Sequence, residues 1–264
     1  MKKISKVLAL LLSAILFCFA FAGCGDKKEA KPESDLEKVK ANGKFVVGIT
    51  EFEPVDYRNE EGEWVGFDAD LAREFAKSLG VEVEFKVIDW DNKFLELKTG
   101  AIDCVWNGMT ITDEVKLNTA YTDAYAKNEQ VVVISKDVAD KYKTMDSLKD
   151  LTFAVEAGSA AEGACKDNGL KCTAVTSQAD TLLEVKAGST DAAVIDSTMA
   201  KSMTGEGTAY SNLGVAMTLT KEEYGAGFRK ESDLQAKANE FIAKSKENGF
   251  LKSLSDKYGI AAAD

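Results

Sequence analysis

Histidine is missing from the whole 264-residue chain. That absence excludes Ser-His-Asp and Cys-His catalysis and zinc held by imidazole. Any enzyme reading is left with carboxylate, lysine or tyrosine chemistry, and no metal or cofactor is expected. Basic charge is in deficit as well, with 33 Lys and Arg against 44 Asp and Glu and a formal charge of −11. The first 23 residues hold three of the lysines and no acid, so the remainder carries −14. Such a balance argues against nucleic acid or an anionic membrane surface as a partner. It leaves a small ligand open, because a pocket can differ from the average around it. Tandem repeats and low-complexity core segments are also lacking. The longest apolar run, residues 7–22, falls short of the roughly 20 residues that a comfortable membrane span needs.

That run has a different meaning in context. Lys2, Lys3 and Lys6 precede it, and Phe21-Ala22-Gly23-Cys24 ends it before the polar Gly25-Asp26-Lys27-Lys28. A basic start, an apolar middle and small residues before a cut describe a secretory signal peptide over residues 1–23. A cysteine directly after Ala-Gly resembles the bacterial lipobox, in which that cysteine is lipidated and becomes the mature N-terminus. Phe21 departs from the leucine-like residue usual there. Cys24 is therefore the expected lipid site, which anchors the chain outside the cytoplasm on the bacterial cell membrane. Residues 24–38, rich in Lys, Glu, Asp, Pro and Ser, read as a solvated tether. Cys104 lies in an apolar segment and reads as a small buried hydrophobe. Cys165 and Cys172 flank the turn signal Asn168-Gly169, and in an exported chain they either form a disulfide or stay free.

Beyond the tether, strand-like and helix-like segments alternate, the pattern of α/β layers. Strands are expected over 45–49, 81–87, 102–106, 130–135, 152–155 and 192–195. Leu71, Phe75 and Leu79 recur four apart on a helix over 70–79 that Gly80 stops. Further helices are expected over 92–99 and 180–187, followed by a long helix carrying Leu234, Ala238, Phe241 and Ile242. Gly249 ends it, and a terminal helix covers 251–258. The length suits two modest α/β units, and a cleft between two units is a favoured place for a ligand.

Several residues are placed to line such a cleft. Thr112, with Asp113 and Glu114 behind it, is a good N-cap, and Ser159 and Glu162 have capping-box spacing. Both segments offer backbone N–H groups to an oxygen-bearing ligand. Phe52, Trp90 and Trp106 sit at analogous strand ends, where an aromatic packs into the core or flanks a ligand. Asp196 follows the apolar strand Ala192-Ala193-Val194-Ile195. A carboxylate there is costly unless paired. It is met by an internal lysine or a helix end, or else serves as counter-ion to a ligand ammonium.

These segments together resemble the polar amino acid binding proteins of bacterial ABC importers, over residues 42–260. Gly66-Phe67-Asp68-Ala69-Asp70-Leu71 looks like that family's glycine-phenylalanine-aspartate signature. Gly108-Met109-Thr110-Ile111-Thr112 is similar to the segment that wraps the ligand's main-chain carboxylate. Asp191-Ala192-Ala193-Val194-Ile195-Asp196 resembles the stretch whose last aspartate holds the ligand amino group, and Gly225-Ala226-Gly227-Phe228-Arg229-Lys230 resembles the return across the second hinge.

The resemblance implies a two-lobed type II periplasmic-binding fold, each lobe a mixed sheet flanked by helices and the two joined by hinge strands. Lobe 1 would comprise 39–128 plus 226–264 and lobe 2 would comprise 129–225, with hinges near Asn128 and Tyr224. It implies that Phe52 and Trp90 wall the ligand and that Asn107, Gly108 and Thr110 meet its carboxylate. Glu156 then meets its side chain, Ser159 and Ala160 open the second lobe's helix, and Asp196 binds its ammonium. Val115 stands where the family carries a carboxylate-binding arginine. The expected function is capture of a small amine-bearing solute, an amino acid in the first instance, for a membrane permease by a monomeric, non-enzymatic chain. A cationic amine without an α-carboxylate is the alternative ligand, and a dehydratase-like enzyme with Glu156 as general acid is the alternative activity.

Overall fold

The computed structural model describes residues 34–264. The signal peptide, Cys24 and the tether up to residue 33 lie outside the described residues. Helix α1 (Asp35–Asn42) leads into β1 (Lys44–Ile49), a small hairpin of β2 (Tyr57–Arg58) and β3 (Trp64–Val65), α2 (Phe67–Leu79) and β4 (Glu82–Val87). A 3₁₀ turn at Trp90–Asn92 runs into α3 (Lys93–Thr99), then β5 (Cys104–Val105), α4 (Asp113–Asn118), β6 (Ala120–Tyr121) and the long β7 (Ala126–Ser135). Next come α5 (Met145–Leu148), β8 (Thr152–Glu156), α6 (Ala160–Asp167), β9 (Lys171–Val175), α7 (Gln178–Ala187), β10 (Ala192–Asp196) and α8 (Ser197–Met203). The chain closes with β11 (Leu213–Tyr224), β12 (Gly227–Phe228), α9 (Leu234–Glu247) and α10 (Phe250–Tyr258).

Apart from the β2–β3 hairpin, these strands form two mixed sheets, one per lobe. The first has the order β4-β1-β5-β12-β6 and the second β11-β7-β10-β8-β9. β1 pairs in parallel with β4 and β5, while β12 runs antiparallel to β5 and β6. In the second sheet β8 is parallel to both β9 and β10, and β7 is antiparallel to both β10 and β11. The long strands β7 and β11 lie side by side, with Ala126 opposite Tyr224 and Asn128 opposite Glu222.

Side-chain alternation explains why the inner strands of the second sheet are apolar on both faces. Val132, Val194, Phe153 and Val155 pack on one face, while Val131, Val133, Ala193 and Ile195 pack on the other. Strands covered on both faces read as continuous apolar runs. In the first lobe Phe45, Val47 and Ile49 join Phe67, Leu71 and Phe75 of α2 and Phe228 of β12 in one buried cluster. α2 begins three residues earlier than its periodicity predicts. Gly66, at φ +132°, admits the Val55 carbonyl 2.1 Å from where a Cβ would stand, and Phe67 and Asp68 are thereby drawn inside.

The polar segment read as tether ends sooner than residue 38. Ser34 caps α1 by accepting the Glu37 N–H, and Asp233 accepts from the Ser34 hydroxyl and the Leu36 N–H. Asp35 is buried against Arg229, whose guanidinium also holds Asp103 and the Ile102 carbonyl. These long-range partners, invisible in local composition, fix residues 35–38 to the body. Cys165 and Cys172 are free thiols in contact with the same apolar cluster, and Cys104 is wholly buried as expected. Among the described residues no helix is long and apolar enough to cross a membrane, and no cluster of acids and cysteines is built to hold a metal.

Candidate functional site

Ligands of open α/β sheets bind beyond the carboxyl ends of the strands. Here Thr50 and Phe52 follow β1, Trp90 follows β4, Asn107 and Gly108 follow β5, Glu156 ends β8 and Asp196 ends β10. All of them line one cavity of about 400 Å³ between the two sheets' loops. Thr110, Ser159 and Ala160 also line it, so nine of the ten residues expected from the sequence come together.

Trp106 is the exception and corrects the expectation. Successive residues leaving a strand point to opposite faces. Asn107 takes the cavity side, so Trp106 turns into the first lobe, 5.7 Å from the Phe75 ring and 6.0 Å from that of Tyr125. The aromatic wall consists of Phe52 and Trp90.

Asp196 is 5% exposed, and no cation among the described residues is bonded to it. Its Oδ1 accepts from the Asn128 side-chain amide and, at 2.6 Å, from the Tyr224 hydroxyl. Burial pushes its pKa up to about 7, helped by repulsion from Glu222 and opposed by the Tyr224 hydroxyl and nearby amides. Glu222, on β11, accepts from Thr110 Oγ1 at 2.7 Å and from Asn128 and Gln130 at 2.8 Å each. Its carboxyl is also raised, by burial first. Glu156 is pushed up to about 8 by burial and then by Asp196, while Lys93 pulls it down.

The first-lobe wall is tied into its own scaffold. Asn107 Oδ1 accepts from the Thr50 backbone and hydroxyl at 2.9 and 2.7 Å, and its Nδ2 donates to Asp56 at 2.6 Å. The Gly108 N–H donates to Asp68 at 2.6 Å, as does the Tyr125 hydroxyl. Burial holds the Asp68 carboxyl up at about 7 and raises Asp56 well above the usual carboxylate range. These contacts make Asn107 and Gly108 scaffold for the wall rather than free donors. Gly108 has φ +56°, and a Cβ there would stand 2.7 Å from the Phe52 ring.

On the second lobe Ser159 caps α6 by accepting the Glu162 N–H at 3.2 Å. Glu162 reaches back to the Gly158 N–H rather than to Ser159, so the expected capping box is displaced by one residue. Thr112 caps α4 as expected, accepting the Val115 N–H. Val115 itself is buried with Trp90 and Met109.

Lys93, Gln130 and Glu222 line the cavity and were not anticipated. Lys93 Nζ reaches across to the Gly158 carbonyl at 2.7 Å. A signal for Lys93 existed, since it lies three residues after Trp90 in the same strand-to-helix connection. Glu222 becomes legible only when β7 and β11 are known to pair. In total the cavity is lined by six acids, Asp113, Glu114, Glu156, Asp167, Asp196 and Glu222, against Lys93 and Lys221. Its field therefore favours a cation.

Comparison with known proteins gives this geometry a family. The chain is 31% identical over 260 residues to the arginine-binding extracellular protein ArtP of Bacillus subtilis (strain 168), covering 94% of this chain and 96% of that one. A mutant of ArgBP from T. maritima superposes with a TM-score of 0.79 at 33% identity, covering 84% of this chain and 98% of that one. An ancestral amino acid-binding protein, AncCDT-1, described as a precursor of cyclohexadienyl dehydratase, superposes with a TM-score of 0.78 at 33% identity, covering 85% and 99%. The model of the bacterial extracellular solute-binding proteins, family 3, matches residues 45–261. Matched along nearly all of its described length, and carrying its polar residues at the strand ends around an interlobe cavity, this chain belongs to the family 3 bacterial extracellular solute-binding proteins.

Proposed function

We propose that this chain is the binding component of an ABC importer and captures an amino acid with a cationic side chain. The observation that carries the reading is Asp196, a buried cavity carboxylate without a cationic partner among the described residues. A buried charge is stable only when paired, and a ligand ammonium supplies the pair. Phe52 and Trp90 wall the ligand's carbon skeleton, and Glu156 receives its distal positive charge. Thr110, Ser159 and Ala160 contribute polar groups around its main chain, within the scaffold of Asn107 and Gly108. The excess of acids around the cavity and the arginine named for the relatives support this ligand class.

In this reading the lobes, 39–128 with 226–264 and 129–225, close about hinges at Asn128 and Tyr224. The closed monomer is then presented to a permease while the lipidated Cys24 holds it at the membrane. The activity is binding without turnover. Relatives are named as binding proteins, and a general-acid role for Glu156 would be exposed by product formation from prephenate-like or arogenate-like substrates. A second reading, a cationic amine lacking an α-carboxylate, draws on the same acids and on buried Val115, which offers no charge.

Thermal-shift screening against the twenty amino acids, polyamines and related amines tests the assignment. A ligand at a hundredfold excess over its Kd adds about 2.7 kcal/mol of stability. Arginine or lysine is expected to give the largest shift. Absence of a shift with every amino acid and amine would remove the reading.

A further inference from the structure

Asp196 has a counterpart of opposite sign in the same cavity. Lys93 opens α3 and is only 3% exposed. Its ammonium donates to two backbone carbonyls, Trp90 at 3.2 Å and Gly158 at 2.7 Å, and stands 5.0 Å from the Trp90 ring centroid and 4.6 Å from that of Phe94. No carboxylate among the described residues is within ion-pair distance of it. Glu114, Glu156, Asp91 and Glu162 favour its charge from farther off, against a burial that lowers its pKa. An ammonium has three N–H groups, and the two carbonyls take two of them.

The carbonyl that holds Lys93 also fixes where its charge lies. Gly158 is the residue before Ser159, the N-cap of α6. The N–H groups of Ala160 and Ala161, in the first turn of that helix, have no backbone acceptor. A buried cation and the positive end of a helix therefore meet at one place on the cavity wall. Glu156 lies between the two poles electrically, since both Lys93 and Asp196 act on it.

We infer that Lys93 receives the α-carboxylate of the bound amino acid, with the first turn of α6 beside it, while Asp196 holds the α-ammonium. The inference rests on the amino acid reading above and deepens it: the cavity is bipolar, and only a zwitterionic head satisfies both buried charges. Lys93 then sets the preference for an amino acid over the amine left when its carboxylate is removed.

Calorimetric Kd values for L-arginine and agmatine, measured on the wild-type protein and on Lys93→Met and Lys93→Arg, test this. Agmatine keeps the amine and the guanidinium and lacks the carboxylate. The wild type is expected to bind arginine at least a hundredfold more tightly than agmatine. Lys93→Met should weaken arginine at least tenfold and leave agmatine within about twofold, and Lys93→Arg should restore much of the preference. Melting curves of both variants establish that they fold. Equal losses for both compounds in Lys93→Met would make Lys93 a mere fastener between the lobes and overturn the inference, as would equal affinity of the wild type for the two. Failure of the wild type to bind either compound would instead remove the functional reading, and the inference with it.

Discussion

Asp196 and Glu222 share a single donor: the Asn128 side-chain nitrogen donates to both carboxylates, one at the end of β10 and the other on β11. A buried acid and a half-buried one thus stand side by side where β7 and β11 pass between the lobes, and each makes the other harder to ionise. A cation arriving at Asp196 relieves both. The ammonium pole is therefore a pair of acids with one amide between them.

Glu222→Gln should consequently weaken ligand binding although Glu222 lies outside the set of residues legible from the sequence. The change removes one negative charge and keeps an acceptor for Thr110, Asn128 and Gln130. A loss of about tenfold in Kd, roughly 1.4 kcal/mol, is expected by calorimetry. An unchanged Kd would leave Glu222 as hinge scaffold alone.

Binding should depend on pH with a definite sign. In the free protein Asp196 has a pKa of about 7 and Glu156 of about 8. A bound cation favours their charged forms, so ligand uptake releases protons and affinity rises with pH until about 8. Below pH 7 the Kd should increase, by up to about tenfold per unit for each carboxylate that is protonated. Titrations at pH 6, 7 and 8 measure this, and a flat profile would contradict it.

Stability of the ligand-free protein should run the other way. Asp68, Asp196 and Glu156 have folded pKa values raised above their usual 3.8 or 4.5, to about 7, 7 and 8. Their contribution is complete below the unfolded values and is lost as pH rises through the folded ones. Between pH 5 and 8 the melting temperature without ligand should therefore fall, and the fall should shrink in Asp196→Asn with Glu156→Gln. Saturating ligand should flatten it. Melting curves across that window, with and without ligand, check both statements.

Gly158 meets the Trp90–Lys93 connection across the cavity, its carbonyl accepting from Lys93 Nζ. It has φ +68°, and a Cβ there would stand 2.7 Å from Asp91 Oδ1 and 2.9 Å from the Asp91 Cα. Gly158→Ala should hold the lobes apart, weaken ligand binding at least tenfold, and give a larger radius of gyration with ligand than the wild type by small-angle scattering. An L side chain in a left-handed conformation costs roughly 1–2 kcal/mol, so the fold should survive.

Much of this was legible in the sequence, and the parts that were not share a cause. The buried strands over 45–49, 130–135 and 192–195 announce themselves as apolar runs, and Gly80 and Gly249 punctuate helices that the structure contains. β11 escaped notice because two register shifts, between Val215 and Met217 and between Thr218 and Thr220, break its alternation. α1 was hidden because its polar sequence is anchored by Arg229 and Asp233, nearly 200 positions away. Strand-end position pointed to Phe52 and Asp196, and the family resemblance to Glu156. Trp106 misled because a strand end offers two faces and the sequence does not say which one a side chain takes. Lys93 was missed because a lysine at a helix start reads as a solvated charge, and only the fold brings it to Gly158.

Isothermal calorimetry of L-arginine against the wild type and Asp196→Asn bears most directly on the whole assignment. The substitution keeps the shape and an acceptor for Tyr224 and removes the charge. Wild-type binding with loss of at least a hundredfold in the variant, and melting behaviour preserved, is the predicted result. Arginine bound equally well by both proteins would show that the buried carboxylate holds no ligand ammonium.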